Sequence, residues 1–209
     1  MRRSLERRGS GSADRGSVGA VWGFALAAAL CAALPPAAAR AETYTIDPRH
    51  TFPSFEVSHM GTSTHRGRFN RSTGKISLDR AAKSGWVLIE MDPTSVDTGD
   101  PQLESVLRSE TFFDTDAHNY VYFRSTGMEF DGERLVAVRG ELTLLGVTRP
   151  LTLTVQSLNC GVSPINKKET CGADITATLK RSDFGMTRHI PAVGDEVRLL
   201  IQVEAIRDD

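Results

Sequence analysis

Five histidines and several aspartates are the residues of this sequence that could take part in catalysis or metal binding. The histidines are His50, His59, His65, His118 and His189. A metal site needs donors at spacings that converge on one ion, such as two histidines four residues apart on a helix. His59 and His65 have neither this helical spacing nor the two-residue spacing that places side chains on one face of a strand. The sequence therefore predicts no metal site, and it assigns the histidines to hydrogen bonds at turns and strand ends.

Catalysis by a serine nucleophile is not indicated either. Ser58, Ser63 and Ser182 lie near histidine or aspartate, but none stands in the G-x-S-x-G turn of a nucleophile elbow. The aspartates of 92–116 lack EF-hand spacing, and they are typical of turns and helix caps. Outside the first 41 residues there is no glycine-rich loop of the kind that binds phosphate. The sequence predicts no catalytic residue and no cofactor.

The first 41 residues follow the order of a secretory signal peptide. A leader containing five arginines precedes an uncharged run of 17 residues over 18–34, rich in Ala and Leu. Ala39-Arg40-Ala41 then fits a small-x-small cleavage site. The run is at the lower limit for a spanning helix, so an uncleaved anchor is the alternative. We expect a signal peptide over 1–41, cleavage near Ala41, and an exported domain over 42–209 with no membrane span.

The composition and net charge of the chain exclude some classes of binding partner. The chain is 40% hydrophobic and 24% charged, which is ordinary for a globular protein, and its formal net charge is −1. Six of the 25 basic and two of the 26 acidic residues lie before residue 42, which leaves a net charge of −5 for the exported domain. Such a domain has no electrostatic reason to bind nucleic acid or an anionic membrane surface.

Two cysteines remain after cleavage, Cys160 and Cys171, with ten residues between them. An even pair in an oxidising compartment predicts a disulfide. A redox or metal-binding pair is the alternative, but the spacing is not C-x-x-C and no cluster of other donors surrounds it. We expect a structural disulfide, since closing a loop of this size stabilises by about 3 kcal/mol.

Alternation of apolar and polar residues dominates the exported domain, and this period predicts β-strands. It is clearest over 197–205, and it recurs over 151–155 and 175–179. Asp131-Gly132 and Leu145-Gly146 supply hairpin turns between such runs. About eight strands in 168 residues suit an antiparallel β-barrel or sandwich.

One short helix interrupts the strands after residue 99. Asp100 can cap it and Pro101 suits its first turn. Leu103, Val106 and Leu107 then form one apolar stripe. Such a helix would either lie across the mouth of a barrel or plug its core.

An outer-membrane barrel would show the same alternation as a soluble one. The exported domain, however, has one Trp and three Tyr, too few for two aromatic girdles, and the chain ends Ile206-Arg207-Asp208-Asp209 without a terminal aromatic strand. The polar faces also carry Glu, Lys and Arg. The sequence therefore favours a soluble barrel, whose interior is either filled or holds one small ligand.

Seven short motifs, in order, carry a resemblance to a known family. They are Tyr44-Thr-Ile-Asp47-Pro48-Arg-His50, Phe55-Glu-Val-Ser-His59-Met-Gly61 with Gly67-Arg-Phe69, Ser95-Val-Asp97-Thr98-Gly99, Leu107-Arg108-Ser109 with Phe112-Phe113-Asp114, Gly140-Glu-Leu142-Thr143-Leu-Leu-Gly146-Val147-Thr148, Arg181-Ser182-Asp183-Phe184-Gly185-Met186 and Val193-Gly194-Asp195-Glu196-Val197. Each is weak alone, but together they resemble the YceI-like family of bacterial periplasmic proteins from about Tyr44 to Ala205.

The resemblance implies an all-β, lipocalin-like fold, an extended eight-stranded antiparallel β-barrel. It also implies periplasmic localisation, binding without catalysis, and a homodimer as one available state. The implied ligand is a polyisoprenoid chain, such as an isoprenoid quinone or a prenyl diphosphate, held in an elongated apolar cavity. A filled barrel serving as a protein-interaction module and an accessory enzyme of isoprenoid quinone metabolism are the alternatives.

Candidate ligand-binding residues follow from this resemblance. For the tail we expect apolar side chains on the inner face, namely Phe55, Val57, Phe69, Leu88, Phe112, Phe113, Phe123, Leu142, Leu153 and Phe184. For a polar head group we expect His59, Arg181, Ser182 and Asp183. The competing interpretation of the last three is a structural turn and ion pair that locks a strand end.

Overall fold

The computed structural model describes residues 41–209, so the predicted signal peptide lies, except for Ala41, outside the described residues. The strands are β1 (Glu42–Ile46), β2 (Phe52–His59), β3 (Ser63–Phe69), β4 (Ser72–Asp79), β5 (Ser84–Met91), β6 (Val96–Asp97), β7 (Val121–Asp131), β8 (Arg134–Leu144), β9 (Val147–Val162), β10 (Glu169–Lys180) and β11 (Val193–Arg207). Helix α1 spans Pro101–Arg108, and 3-10 turns lie at Pro93–Ser95 and Arg181–Phe184. No helix within 41–209 is long and apolar enough to span a membrane.

Eight of these strands close into a barrel. Their order is β1-β4-β5-β7-β8-β9-β10-β11, every neighbouring pair is antiparallel, and β11 pairs back onto β1. Hairpin connections dominate, as the turn signals indicate. The predicted fold class, an eight-stranded antiparallel β-barrel with one short α-helix, is confirmed.

The remaining strands lengthen the barrel at one end. β11 pairs with β1 near its C-terminus, from Ala205 to Arg207, and with β2 along most of its remaining length. β2 pairs with β3, and β3 pairs with the two residues of β6. Short links join β3 to β4 and β5 to β6. The strands β2, β3 and β6 therefore continue the wall of the barrel beyond the ends of β1, β4 and β5. The barrel is therefore extended.

The hairpin joining β8 and β9 shows how the predicted turns form. Leu145 and Gly146 both have positive φ, 52° and 70°, as a two-residue turn of the primed kind requires. The strands that it joins have apolar residues inside and polar residues outside. Leu151 and Leu153 are buried, for example, whereas Thr152 and Thr154 are exposed. The alternation in the sequence is thus the alternation between cavity and solvent.

The predicted disulfide is confirmed. Cys160 on β9 and Cys171 on β10 lie directly opposite each other in the antiparallel register and are joined by an S–S bond of 2.04 Å. The bond staples the hairpin close to its loop, at the end of the barrel where β1 also lies.

Helix α1 begins where the sequence predicts. The Asp100 carboxylate accepts a hydrogen bond of 2.9 Å from the Gln102 amide, and Pro101 occupies the first turn. The helix follows β6 directly along the chain, beside the edge of the sheet that β3 and β6 leave unpaired among the described strands. No residue of α1 is fully buried, and Leu107 of its apolar stripe is partly buried against the core.

Candidate functional site: an enclosed apolar cavity

The barrel encloses a cavity of about 470 Å³. This volume is within the roughly 300–1,000 Å³ that is usual for small-molecule binding sites. The core is therefore not filled, which removes the premise of the filled-barrel alternative. The lining is almost entirely aliphatic and aromatic, and it extends from Tyr44 and Ala205 at one end to His59 and His65 at the other.

Strand β11 forms one continuous wall of this cavity. Val197, Leu199, Ile201, Val203 and Ala205 all line it, one from every second position. The intervening residues face outward, as a pleated strand requires. One strand thus contributes wall over nearly the whole length of the barrel, and this is the alternating run that is clearest in the sequence.

Aromatic rings form another part of the wall. The Phe55 and Phe69 rings lie 5.7 Å apart, and Phe113 meets Phe69 edge-on at 5.3 Å. The Phe55 ring lies directly over Gly67 on the neighbouring strand, where any Cβ would overlap it. Glycine at position 67 therefore lets this ring lie against the backbone, and the rings present their faces and edges to the lumen.

One end of the cavity is closed, and we call this end the floor. Tyr44, Leu78, Cys171 and Ala205 line the cavity there, and all four are buried. The Tyr44 ring is 1% exposed. Its hydroxyl donates a 2.7 Å hydrogen bond to the Glu42 carboxylate. Burial, together with this hydrogen bond, raises the pKa of Tyr44 well above its ordinary value.

Charged side chains cover the outer side of the floor. Glu169 Oε1 lies 3.3 Å from the Tyr44 hydroxyl and 2.9 Å from an Arg80 guanidinium nitrogen. Arg207 bridges Glu169 and Glu42 at 3.2 Å each. A hydrocarbon chain could pass this end only by separating the ion pairs, so the floor is a barrier to an apolar ligand.

The opposite end, which we call the mouth, carries most of the polar lining groups. The His59 and His65 rings, on the hairpin of β2 and β3, stack with centroids 4.0 Å apart and planes 12° apart. Both rings line the cavity, as do Leu103, Val106 and Leu107 of α1. Of the two placements predicted for the helix, the structure shows the first. The mouth combines an apolar helix face with imidazole nitrogens that can donate or accept hydrogen bonds.

Most of the residues predicted to bind the ligand do face the cavity. Those that line it are Phe55, Val57, His59, Phe69, Phe112, Phe113, Phe123, Leu142, Leu153 and Arg181. Leu88 does not, because its side chain is on the outer face of β5 and is 46% exposed. Its neighbours Val87 and Ile89 line the cavity instead. The prediction that Leu88 lines the cavity is therefore wrong, because neighbouring residues of a strand point to opposite faces.

The residues predicted from the Arg181 motif serve mainly structural roles. Phe184 is buried in the apolar core without lining the cavity, and Asp183 is exposed outside it. Ser182 donates from its amide (2.9 Å) and its hydroxyl (2.8 Å) to the Asp195 carboxylate. These hydrogen bonds hold the pKa of Asp195 below its ordinary value. Ser182 is thereby committed to a turn and is not placed on the cavity wall.

Arg181 both lines the cavity and stabilises the turn. It is 3% exposed and lines the cavity, yet its guanidinium donates to the backbone carbonyls of Gly194, Met186 and Val193 at 2.8–3.0 Å. Burial lowers the pKa of Arg181, and the nearby Asp195 charge opposes that shift. The predicted structural turn is therefore present, with carbonyl oxygens as the direct partners of Arg181.

Several lining residues escaped the sequence reasoning. His65, His189 and the floor residues Tyr44, Leu78 and Ala205 all line the cavity. The alternating pattern places Ala205 on the same face as the other apolar residues of its strand. No local pattern, however, distinguishes a residue at the end of a barrel from one in its middle.

One cluster of metal-type donors occurs in the part of the chain that the structure describes, formed by Cys160, Glu169 and Cys171. The two sulfurs are joined in the disulfide. Metals bind the thiolate form of cysteine, so this cluster offers one carboxylate and no thiolate.

The fold and its lumen define a class: an extended antiparallel barrel around an apolar cavity. Residues 44–205 match the YceI-like domain. The chain is 34% identical over 172 residues to a UPF0312 protein of Ectopseudomonas mendocina, covering 81% of this chain and 90% of that protein. It is 32% identical over 170 residues to Protein YceI of Shigella flexneri, covering 80% and 88%. This chain belongs to the YceI-like family.

Solved structures agree on the fold. BcnA of Burkholderia cenocepacia superimposes with a TM-score of 0.65 at 23% identity, covering 76% of this chain and 98% of BcnA. A polyisoprenoid binding domain of Saccharophagus degradans, implicated in plant cell wall breakdown, gives 0.58 at 18% identity, covering 79% and 98%.

Proposed function

We propose that this protein binds the chain of a polyisoprenoid lipid in its barrel and carries or stores it in the periplasm. The observation that carries the proposal is one apolar cavity running from the floor to the mouth. A long hydrocarbon is the ligand that such a lining suits, since it offers no polar atoms to leave unsatisfied. The polyisoprenoid binding of the Saccharophagus degradans domain supports the same class of ligand.

The cavity sets the scale of the affinity. Large ligands gain about 0.3 kcal/mol for each heavy atom, so a buried tail of roughly 25 carbons gives about 8 kcal/mol, or a micromolar dissociation constant. Longer tails and head-group contacts would tighten it. This range suits a carrier that must both hold its cargo and release it.

His59 and His65 are our proposed contacts for the polar end of the ligand. They line the mouth, where a head group would lie once the tail occupied the apolar lumen. Neutral imidazole can donate to a quinone or phosphate oxygen from one nitrogen. Arg181 also lines the cavity, and three of its five N–H groups are accounted for by the three carbonyls.

The first test is native mass spectrometry of protein purified from the periplasm, followed by organic extraction and identification of the bound lipid. An adduct that extracts as a polyprenyl compound is the expected result. Recovery of unliganded protein that also takes up no added isoprenoid quinone would overturn the proposal.

A pair of variants sharpens this test. Phe55→Ala removes a ring from the cavity wall and should weaken binding of isoprenoid quinone about tenfold, since the loss of contact with even two carbons of the tail costs about 1.5 kcal/mol. Leu88→Ala removes a side chain of the outer face and should leave binding unchanged. Equal effects of the two would place the ligand outside the barrel.

The stacked histidines also allow a test of the enzymatic alternative, because two imidazole rings lie where the head group would be. If the protein is a binding protein, His59→Ala and His65→Ala should change the affinity for isoprenoid quinone and should have no effect on its turnover. Loss of a measurable turnover with binding retained would instead identify an enzyme.

A further inference from the structure

The two ends of the cavity differ in a way that bears on ligand size. The mouth is lined by a helix with no buried residue, whereas the floor is formed by buried Tyr44 and Ala205 and covered outside by ion pairs. A tail that enters through the mouth meets a fixed stop. The distance from the mouth to this stop is therefore a physical limit on how much of an extended tail can be buried.

The strand register gives that distance. Ala205 and Val197 are eight residues apart on β11, Val197 pairs with Val57, and His59 follows two residues later on β2. Ten residues of strand measure about 33 Å, which projects to about 25 Å along the axis for the usual 35–45° tilt of barrel strands. This is the depth available to a straight chain between the floor and the stacked histidines.

An isoprene unit contributes four carbons to the length of a chain and advances it by about 5 Å when extended, given carbon–carbon bonds of about 1.5 Å. We infer that the floor at Tyr44 and Ala205 acts as a length stop that buries about five isoprene units of an extended prenyl tail. The inference rests on the proposed function and adds the size class of its ligand. Tails with more units would protrude through the mouth.

A measurable consequence is a break in the dependence of affinity on chain length. Below the limit, each added unit buries five more carbons and should tighten binding about tenfold. Above it, an added unit stays outside the cavity and adds little. A cavity without a stop would show no such break.

Ala173 is the position from which the stop can be moved. It lines the cavity two residues from Cys171 on β10 and pairs with Val203, so its side chain points into the lumen just above the floor. Ala173→Phe would fill that space and should shift the break to shorter tails by one to two units. Ala173→Leu is a smaller plug and should shift it by about one unit.

Thr178→Phe is the matched control. Thr178 is exposed on the same strand and is absent from the cavity lining. The same bulk added there should leave the break where it is in the unsubstituted protein. The thermal midpoint of each variant establishes that it folds, and Ala173→Leu keeps the test available if the Phe variant does not.

The experiment measures dissociation constants by native mass spectrometry for polyprenols of three, four, five, six and eight units, all with the same alcohol head group and delivered from cyclodextrin. A break near five units that Ala173→Phe moves downward supports the length stop. Affinity that rises steadily to eight units in all variants would overturn it while leaving the proposed function standing. Binding of no polyprenol at any length would overturn the proposed function itself.

Discussion

Two short helical segments lie at the mouth end of the barrel and are held there by different means. The 3-10 turn Arg181–Phe184 contains two buried residues, and its arginine donates to three backbone carbonyls of the following loop and strand. Helix α1 contains no buried residue, and its apolar stripe faces the lumen. One side of the mouth is fixed to the barrel by a buried cation, whereas no fully buried side chain fixes the helix on the other side.

This difference indicates where the wall of the cavity can yield. Moving the turn would expose a guanidinium and three carbonyls whose hydrogen bonds must then be replaced by water. Moving α1 breaks one part-buried hydrogen bond of a helix side chain, donated by the Thr98 amide to Glu104 (3.0 Å), and exposes a part-buried apolar stripe. Segments that open at low free-energy cost are those with few buried apolar contacts. We therefore expect the wall of the cavity to yield at α1 before it yields at the 3-10 turn.

The largest expected effect comes from removing the buried cation. Arg181→Met leaves three carbonyl oxygens without their donor and should lower the free energy of unfolding by about 3 kcal/mol or more. Chemical denaturation measures the change. Arg198→Met is the control, because Arg198 is itself exposed and its ion pair with Glu56, at 3.6 Å, should contribute less than about 1 kcal/mol. Similar small losses in both variants would show that the turn is not anchored by Arg181.

A smaller effect, dependent on pH, should come from the carboxylate that holds Ser182. Asp195→Asn should cost about 1 kcal/mol at pH 7, since a hydrogen bond to a charged acceptor is replaced by one to a neutral acceptor. The pKa of Asp195 is lowered in the folded protein. Its stabilisation is therefore complete above the ordinary value of 3.8 and is lost as the pH falls through the lower folded-state pKa.

The measurement is the unfolding free energy of both proteins from pH 7 down to pH 2. The two curves should converge at the acid end. Asp183→Asn, at the exposed carboxylate next to Ser182 in the sequence, is the matched control and should change the free energy of unfolding at pH 7 by less than about 0.5 kcal/mol. If Asp195→Asn and the unsubstituted protein still differ in unfolding free energy at the acid end, the stabilisation comes from side-chain packing and not from the charge of Asp195.

The smallest effect on stability should come from α1. Leu107→Ala removes a part-buried side chain next to an open lumen and should change the free energy of unfolding by less than about 1 kcal/mol. Leu153→Ala, in the buried wall of β9, should cost about 2–5 kcal/mol. Thermal or chemical unfolding compares the two. A Leu107→Ala loss as large as that of Leu153→Ala would mean that α1 is part of the core.

Much of this architecture could be predicted from local sequence. The strict alternation over 197–205 identified a cavity wall, Leu145-Gly146 identified a hairpin, and Asp100-Pro101 identified the start of α1. These features depend on neighbouring residues alone, since period, turn conformation and capping are set within a few positions. The pairing of Cys160 with Cys171 was also predictable, because no other cysteine follows residue 41.

What could not be predicted depends on how distant segments meet. Ser182 and Asp195 are separated by a loop, and the stack of His59 on His65 arises from the register of a hairpin. Leu88 was assigned to the wrong face because alternation defines two faces without stating which is inside. The floor at Tyr44 required knowledge of where the barrel closes. Each of these features follows from the register of the strands, which no local pattern specifies.

The closure of the barrel also determines when the cavity comes into existence. Three residue pairs join β1 to β11, the first and last strands of the described chain. Contacts between such distant segments carry the greatest loop-closure cost and tend to form late. Until the C-terminal strand docks, residues 193–205 supply no wall, and the lumen is an open groove. An unfinished or C-terminally truncated chain would thus present its apolar inner face to solvent, where chaperones and proteases act.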